Sequence, residues 1–358
     1  MSVTGNLGEL ERVIEAWDGE QVLVRFDAPT GSWIFICIHS RRLGPAAGGT
    51  RMKVYESAAD ALRDGTRLAA GMTVKMAVAG FSFGGGKSVI AVPALLEGAE
   101  REGLFRRYAE TVGSLGGNFW TGCDMNTTPS DLDVMAERCP YVFGRSAESG
   151  GSGEPGPITA RGVFYGIKAT IAHALGSPSL DGRTVLVQGV GSVGARLAAL
   201  LADAGAEVLV SDVAVDRASE LAERLGARVV PAEQALVTEC DVYAPCATGG
   251  TLSADSIPRL RCRVVAGSAN NQLATPADAD QLRERGILYA PDFVINAGGV
   301  FHNVGVEALG WDEADVEQAL EGIGNTLAQV FERSQAEGIS TARAAEALAE
   351  TRLENAAT

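Results

Sequence analysis

At 358 residues the chain is too long for one ordinary hydrophobic core, which points to about two domains. Its formal net charge of −15 disfavours nucleic acid and anionic membranes as partners, since both are polyanions. With 46% hydrophobic and 21% charged residues and no apolar run of about 18 residues, it has a globular composition and no expected membrane span.

The acidic start, MSVTGNLGELERVIEAW, lacks the basic end and apolar core of a signal peptide. Residues 21–27 (QVLVRFD) and 33–39 (WIFICIH) flank Ala28-Pro29-Thr30-Gly31 and predict a hairpin. Over 57–72, Ala58, Ala61, Leu62, Leu68, Ala69 and Met72 recur at helical spacing. Two strands are expected next, TVKMAVAG (73–80) and KSVIAVP (87–93), around Gly84-Gly85-Gly86. A helix over 101–115 and a strand in GNFWTGCD (117–124) follow.

The Gly-, Ser- and Pro-rich stretch 148–157 marks a boundary. Residues 1–147 are therefore assigned to one domain and 148–335 to another, with a C-terminal helix at about 336–358 expected to return to the first. Beyond the helix 159–175, short apolar runs at 183–188, 207–212, 227–230, 240–246 and 262–269 alternate with helical patterns, and another helix is expected at about 312–335. That alternation predicts a parallel sheet with crossover helices. The expected fold class is α/β: a mixed α/β substrate domain, a doubly wound Rossmann domain, and a cleft between them.

Gly189-Val190-Gly191-Ser192-Val193-Gly194 follows a predicted strand and opens a predicted helix. Such a turn lets a backbone approach a pyrophosphate at a helix N-terminus. Asp212 ends the next strand, 23 residues after Gly189, where a carboxylate accepts from ribose hydroxyls and repels a 2′-phosphate. NAD is therefore the expected cofactor, although Arg217 nearby weakens the distinction from NADP. Ala247-Thr248 and Asn270-Asn271 follow later strands, at the carboxyl ends where open α/β sheets bind ligands.

The predicted first domain places Lys75 and Lys87 in apolar runs, where lysines are rare unless paired or functional. A buried lysine loses its proton easily and can serve as a base, and Asp124 is the natural acidic partner. Gly-Gly-Gly-Lys-Ser is not a phosphate loop: the motif needs glycine at position 81, which is Phe81, and no helix follows. The cysteines Cys37, Cys123, Cys139, Cys240, Cys246 and Cys262 form no C-x-x-C pair, so reduced thiols and a cytoplasmic location are expected. His39, His173 and His302 lack zinc-ligand spacing, and no metal is expected.

Leu43-Gly44-Pro45-Ala46-Ala47-Gly48-Gly49-Thr50-Arg51, Lys75, Gly84-Gly85-Gly86-Lys87, Gly122-Cys123-Asp124-Met125-Asn126-Thr127, the glycine turn and Asn296-Ala297-Gly298-Gly299 carry a resemblance. Over nearly its whole length the chain resembles the Glu/Leu/Phe/Val dehydrogenases, and looks most like phenylalanine dehydrogenases of actinobacterial type. The resemblance implies reversible, NAD-dependent oxidative deamination of an apolar L-amino acid. It implies that Lys75 grips the substrate carboxylate, with Gly48 and Gly49 adding backbone contacts. Lys87 would be the general base and Asp124 would exchange protons with the substrate nitrogen. Asn270 and Asn271 would lie near nicotinamide and substrate, and Arg51, Thr159 and Asp212 would hold the cofactor. Related enzymes often have Ser where this chain has Gly156.

Candidate pocket residues are Met72, Gly122, Cys123, Asn296, Gly299 and Val300. Gly122 is expected to leave one wall open to a ring, which favours L-phenylalanine. Val300 looks more like leucine dehydrogenases and Cys123 like the valine enzymes, so branched-chain substrates stay open, as do tryptophan and other aryl amino acids. No cation for a glutamate side chain is evident in these segments. A non-catalytic NAD-binding regulator need not keep Lys75, Lys87 and Asp124 together, and a 2-hydroxy-acid dehydrogenase would need a His base. The expected partners are the small-molecule substrate with ammonia and further copies of the chain in a homo-oligomer.

Overall fold

The structure, a computed structural model, describes residues 7–356. The chain forms two compact units. One runs as far as Glu154 and adds Asn303–Gly310 and the stretch from Ala349. The other consists of Pro155–His302 and Trp311–Leu348.

The first unit is built on a five-stranded sheet of β1 (Gln21–Asp27), β2 (Ser32–Ser40), β3 (Ala46–Lys53), β4 (Gly84–Ala91) and β5 (Phe119–Cys123), in the order β1-β2-β4-β3-β5. The expected hairpin is present, with Asp27 paired to Ser32 and Gln21 to Ile38. β2 meets β4 antiparallel, while β3 runs parallel to both β4 and β5. Helices α1 (Leu7–Glu15) and α2 (Ala58–Ala79) cover one face through Phe35, Cys37, Ala61, Leu62 and Val89. Helices α3 (Gly98–Gly113) and α4 (Pro129–Ala136) cover the other through Ile34, Ile36, Phe105, Tyr108 and Leu132.

One expected strand is instead helix. Residues 73–79 form the last turns of the 22-residue α2. Val74-Lys75-Met76-Ala77-Val78 is apolar enough to read either way, but the buried positions Ala69, Thr73, Met76 and Ala77 keep helical spacing. Gly80 stops the helix in the left-handed region at φ 78°, and Phe81 N–H reaches back to Met76 O, closing a Schellman-type end. Arg352, from the C-terminal helix Thr341–Asn355, donates to the carbonyls of Ala77 and Val78. A cation at a helix C-terminus is favourable there.

The second unit holds a six-stranded sheet. Its strands are β6 (Thr184–Gln188), β7 (Glu207–Ser211), β8 (Arg228–Val229), β9 (Val242–Pro245), β10 (Val264–Val265) and β11 (Leu288–Tyr289). Every pairing is parallel, and the order β11-β10-β9-β6-β7-β8 reverses direction between β6 and β9. That is the doubly wound order with its switch point, as the alternating runs predict. α5 (Gly156–Leu175), α6 (Ser192–Asp203) and α7 (Val215–Leu225) include its first crossover helices, and the long helix Glu313–Glu337 packs on α5. Among the described residues, no helix is long and apolar enough to cross a membrane.

Within the first unit, Glu307 ties the returning segment to the loop after β5. Its side chain is 3% exposed. It accepts from the backbone N–H of Gly144 (2.6 Å), Arg145 (3.2 Å) and Ser152 (2.9 Å), from Ser152 Oγ (2.6 Å) and from Arg145 Nε (2.9 Å). Removing one partner of a buried pair typically costs ~3–5 kcal/mol. Glu307→Ala is expected to lower denaturant stability on that scale and to speed amide exchange across residues 144–152. Exchange unchanged there would show that the anchor lies elsewhere.

Candidate active site

The sheet order of the first unit gathers its charged residues. β3 lies between β4 and β5, and Thr50 is in register with both Ser88 and Cys123. Lys87 precedes Ser88, Arg51 follows Thr50 and Asp124 follows Cys123, so three neighbouring strands deliver three charges to one place. Lys87 Nζ lies 3.1 Å from Asp124 Oδ1, and Arg51 Nε lies 2.7 Å from Asp124 Oδ2. The loop carrying Asp124 is latched: its backbone N–H donates to Thr127 Oγ1, Thr127 Oγ1 donates to Thr50 O, and Asn126 Nδ2 donates to Met52 O.

Lys87 is 5% exposed. Burial pushes its ammonium below the ordinary lysine range, and the charge of Asp124 only partly restores it. Burial would raise the Asp124 carboxyl, but the charges of Lys87 and Arg51 outweigh that and hold it below the usual carboxylate range. The pair is thus an ionised acceptor beside an amine that gives up its proton readily. Lys75 and Met72 are half-buried on the last turns of α2. Thr73, between them, closes against Gly85, where an added Cβ would lie 2.1 Å from Thr73 N.

Gly48 and Gly49 are there because backbone crowds them. A Cβ on Gly48 would sit 1.8 Å from Gly86 O, and one on Gly49 would sit 2.4 Å from Cys123 O. Gly122 departs from expectation. The space beside it is not open, since a Cβ there would fall 2.3 Å from Cε2 of the Phe143 ring. Phe143 reaches it because its N–H bonds to Thr121 O and Thr121 bridges to Val142. The glycine accommodates a protein ring, so it gives no reason to expect a substrate ring. Burial pushes the neighbouring Cys123 thiol up to about 12, so it is no nucleophile at neutral pH.

In the second unit, residues 189–194 turn from β6 into α6 as expected. Gly189 sits at φ 93°, and a Cβ on Gly194 would lie 1.9 Å from Gly189 O, so helix and strand approach as only glycine permits. Nothing lies within 4 Å of the Cβ position of Gly191, and no side chain caps α6, which opens with Ser192 and Val193. An open, uncapped helix start fits a dinucleotide pyrophosphate. Asp212 accepts from Val190 N–H and Ala214 N–H, both at 2.8 Å, so the carboxylate is fixed to the same turn. Arg217 stands 3.7 Å away and half exposed.

Ala247, Thr248, Asn270 and Asn271 are exposed after β9 and β10, with Ala247 against Gly189. Asn270 is held by Asn296, which is buried and donates from Nδ2 to Asn270 Oδ1 at 2.7 Å and to Ser268 O. Asn271 takes a left-handed φ of 52°, and its N–H donates to Asp292, which Tyr289 also bonds. Thr159 turns its hydroxyl to Pro155 O, Gly299 packs against Thr159, and Val300 ends a short helical turn, Gly298–Val300. α5 begins at Gly156 without a side-chain cap. Asp64, Phe143, Asp292 and the link from Asn296 to Asn270 escape sequence reasoning. No signal in the sequence separates Asp64 from Asp60, Arg63 and Arg67, which surround it on the same helix.

Two family profiles match. Glu/Leu/Phe/Val dehydrogenase, dimerisation domain, covers residues 29–141, and Glutamate/Leucine/Phenylalanine/Valine dehydrogenase covers 150–215 and 211–358. A leucine dehydrogenase of Geobacillus stearothermophilus is 42% identical over 97% of this chain and 94% of its own. A valine dehydrogenase of Streptomyces coelicolor is 43% identical over 94% of this chain and 93% of its own. The crystal structure of L-tryptophan dehydrogenase from Nostoc punctiforme matches with a TM-score of 0.86 at 39% identity, covering 97% of this chain and 98% of that one. The expected likeness to phenylalanine dehydrogenases in particular gives way to one with leucine, valine and tryptophan enzymes.

The fixing of Asp212 to the glycine turn leads to a test. Asp212→Ser is expected to narrow the preference for NADH over NADPH several-fold, read as two dissociation constants by fluorescence titration. Equal affinities in the unaltered protein would show that Asp212 does not read the ribose.

Proposed function

Since the chain belongs to the Glu/Leu/Phe/Val dehydrogenase family, we propose that it oxidatively deaminates a branched aliphatic L-amino acid, leucine or valine, to its 2-oxo acid and ammonia, and also runs the reverse reaction. It is an amino-acid dehydrogenase and its cofactor is NAD. The Lys87–Asp124 contact supports the assignment of the chemistry, and the Phe143 ring beside Gly122 supports an aliphatic side chain.

Lys75 holds the substrate carboxylate, with backbone contacts from Gly48 and Gly49. Asp124 takes a proton from the substrate nitrogen. Residues 189–194, Asp212, Thr159, Ala247, Thr248, Asn270 and Asn271 would hold NAD, which when bound would supply the acceptor for the hydride of the α-carbon. Lys87 then removes a proton from the water that adds to the imino carbon. Asp124 returns its proton to nitrogen, and the carbon–nitrogen bond breaks as the new hydroxyl passes its proton to the departing ammonia, leaving the 2-oxo acid and ammonium. A lysine whose charge is disfavoured by burial suits the base role, because it is unprotonated in a larger fraction of molecules near neutral pH. We also infer a homo-oligomer, since residues 29–141 match a profile described as a dimerisation domain. A cytoplasmic location fits the six free thiols.

An aromatic substrate is the second reading, favoured by the likeness to the L-tryptophan dehydrogenase. Reductive amination of 4-methyl-2-oxopentanoate, 3-methyl-2-oxobutanoate, phenylpyruvate and indolepyruvate, followed by NADH fluorescence, decides between them. The highest kcat/KM is expected for one of the two branched acids, and a higher value for an aryl acid would reverse the order. In the same assay Lys87→Ala should lower kcat at least ~10²-fold with NADH binding kept, and near-normal turnover would remove Lys87 as the base.

Phe143 is also a lever on specificity. Phe143→Leu empties part of the space beside Gly122 and should raise the ratio of phenylpyruvate to 4-methyl-2-oxopentanoate kcat/KM by about tenfold, the scale of a pocket change of one or two methylenes. An unchanged ratio would place the selective contact away from Gly122.

A further inference from the structure

The polar network around Asp124 extends beyond the groups that the reaction uses. Arg51 donates from Nε to Asp124 Oδ2 at 2.7 Å and from one terminal nitrogen to Asp64 Oδ2 at 3.0 Å. Asp64 also accepts from Tyr55 Oη on that oxygen and from Arg67 on the other, each at 2.8 Å. Arg51 and Asp64 are mostly buried, with side chains 17% and 18% exposed. The two oxygens of Asp124 are thus divided, one facing Arg51 and the other Lys87.

We propose that Arg51, steadied by Asp64 and Tyr55, is a positioning residue for the deamination: it holds Oδ2 of Asp124 and carries part of its counter-charge, so that Lys87 is not bound in a one-to-one ion pair. The proposal rests on the reading of Lys87 as base. A lone buried carboxylate and ammonium at 3.1 Å would favour each other's charged form and keep the proton on lysine. A second cation on the carboxylate dilutes that attraction and repels the ammonium directly.

Asp64 acts in the opposite sense, because it steadies Arg51 while its own negative charge favours a protonated Lys87. The charges that bear on Lys87 are therefore Asp124 from the loop after β5, Arg51 from β3 and Asp64 from α2. From β2 the residue in register is Cys37, whose thiol burial pushes up to about 12, so it is uncharged. Lys75 lies about three turns beyond Asp64 along α2. The resemblance implies that Arg51 holds the cofactor. In the structure its guanidinium engages two carboxylates of its own unit.

The test is the pH dependence of kcat/KM for oxidative deamination, which rises with pH as Lys87 loses its proton. Arg51→Gln should move this rise to higher pH by about one unit, with rate recovering in alkali. Asp64→Asn keeps an acceptor for Arg51 and Tyr55 and should move the rise to lower pH. Opposite shifts support the proposal, and should Arg51→Gln fail to fold, the direction given by Asp64→Asn decides. Equal losses at every pH, with the rise in place, would make Arg51 structural and overturn it. A raised KM for NAD alone would overturn it too, as for a cofactor-holding residue. Lys87→Ala, measured alongside, separates the two claims. Near-normal turnover there removes the base itself, whereas lost turnover with unmoved profiles in the other variants removes only the role of Arg51.

Discussion

A lysine ammonium that is 5% exposed is costly to keep charged, and much of the first unit's architecture follows from how that charge is managed. Lys87 has a carboxylate within reach only because three parallel strands run side by side, in an order that the chain does not follow. β4 and β5 come after β3 in sequence, yet β3 lies between them in the sheet. One residue beyond the shared register of Thr50, Ser88 and Cys123, or one before it, every strand presents a charged group. A slip of one residue in any of the three would turn its charge to the opposite face of the sheet. The crowding of Gly48 by Gly86 O and of Gly49 by Cys123 O acts against such slips, since only one alignment lets strands come so near.

The second unit also fixes polar groups by bonds from other segments. Asn270 is exposed, but its orientation is set by the buried Asn296, which belongs to a different part of the chain. Asp212 is likewise fixed by the N–H of Val190, a residue of the very turn whose ligand it would accompany. In each case a polar group at a sheet end is aimed by a hydrogen bond from another segment. That matters because a polar side chain free to rotate would lose part of its interaction energy to the entropy of being ordered.

How much of this was legible in the sequence depended on the range of the physics. The second sheet was readable because each parallel strand is a short apolar run and each crossover a helical repeat, both local patterns. The glycine turn and Asp212 were readable because their spacing is fixed by one strand–helix–strand unit. Lys75 and Lys87 stand out because charges in apolar runs are rare, and Asp124 as their natural acidic partner. The stretch 73–79 reads as strand because its five apolar residues fit either period, and what makes it helix is the preceding helix and the cap at Gly80, which the pattern of a short window does not contain. Arg51 stands out only through the resemblance, which gives it to the cofactor, and Asp64 is one of several charges on its helix. Their partnership spans 13 positions and exists only once α2 lies across the sheet.

Substrate identity is the least legible property for a related reason. The chemistry of deamination needs particular charged groups, and their absence would cost many orders of magnitude in rate, so they leave a strong mark on the sequence. The choice among apolar side chains depends on differences of about 1–3 kcal/mol per methylene, which a single ring or methyl group can supply. Under the proposed function that group is Phe143, some twenty residues from Gly122 and brought to it by one isolated bridge between Thr121 and Val142. Glycine at 122 is compatible with an open wall or with a filled one, and nothing at position 122 itself distinguishes them. The class of reaction is therefore written in residue types, while the substrate is written in which side chains fill the spaces that small residues leave.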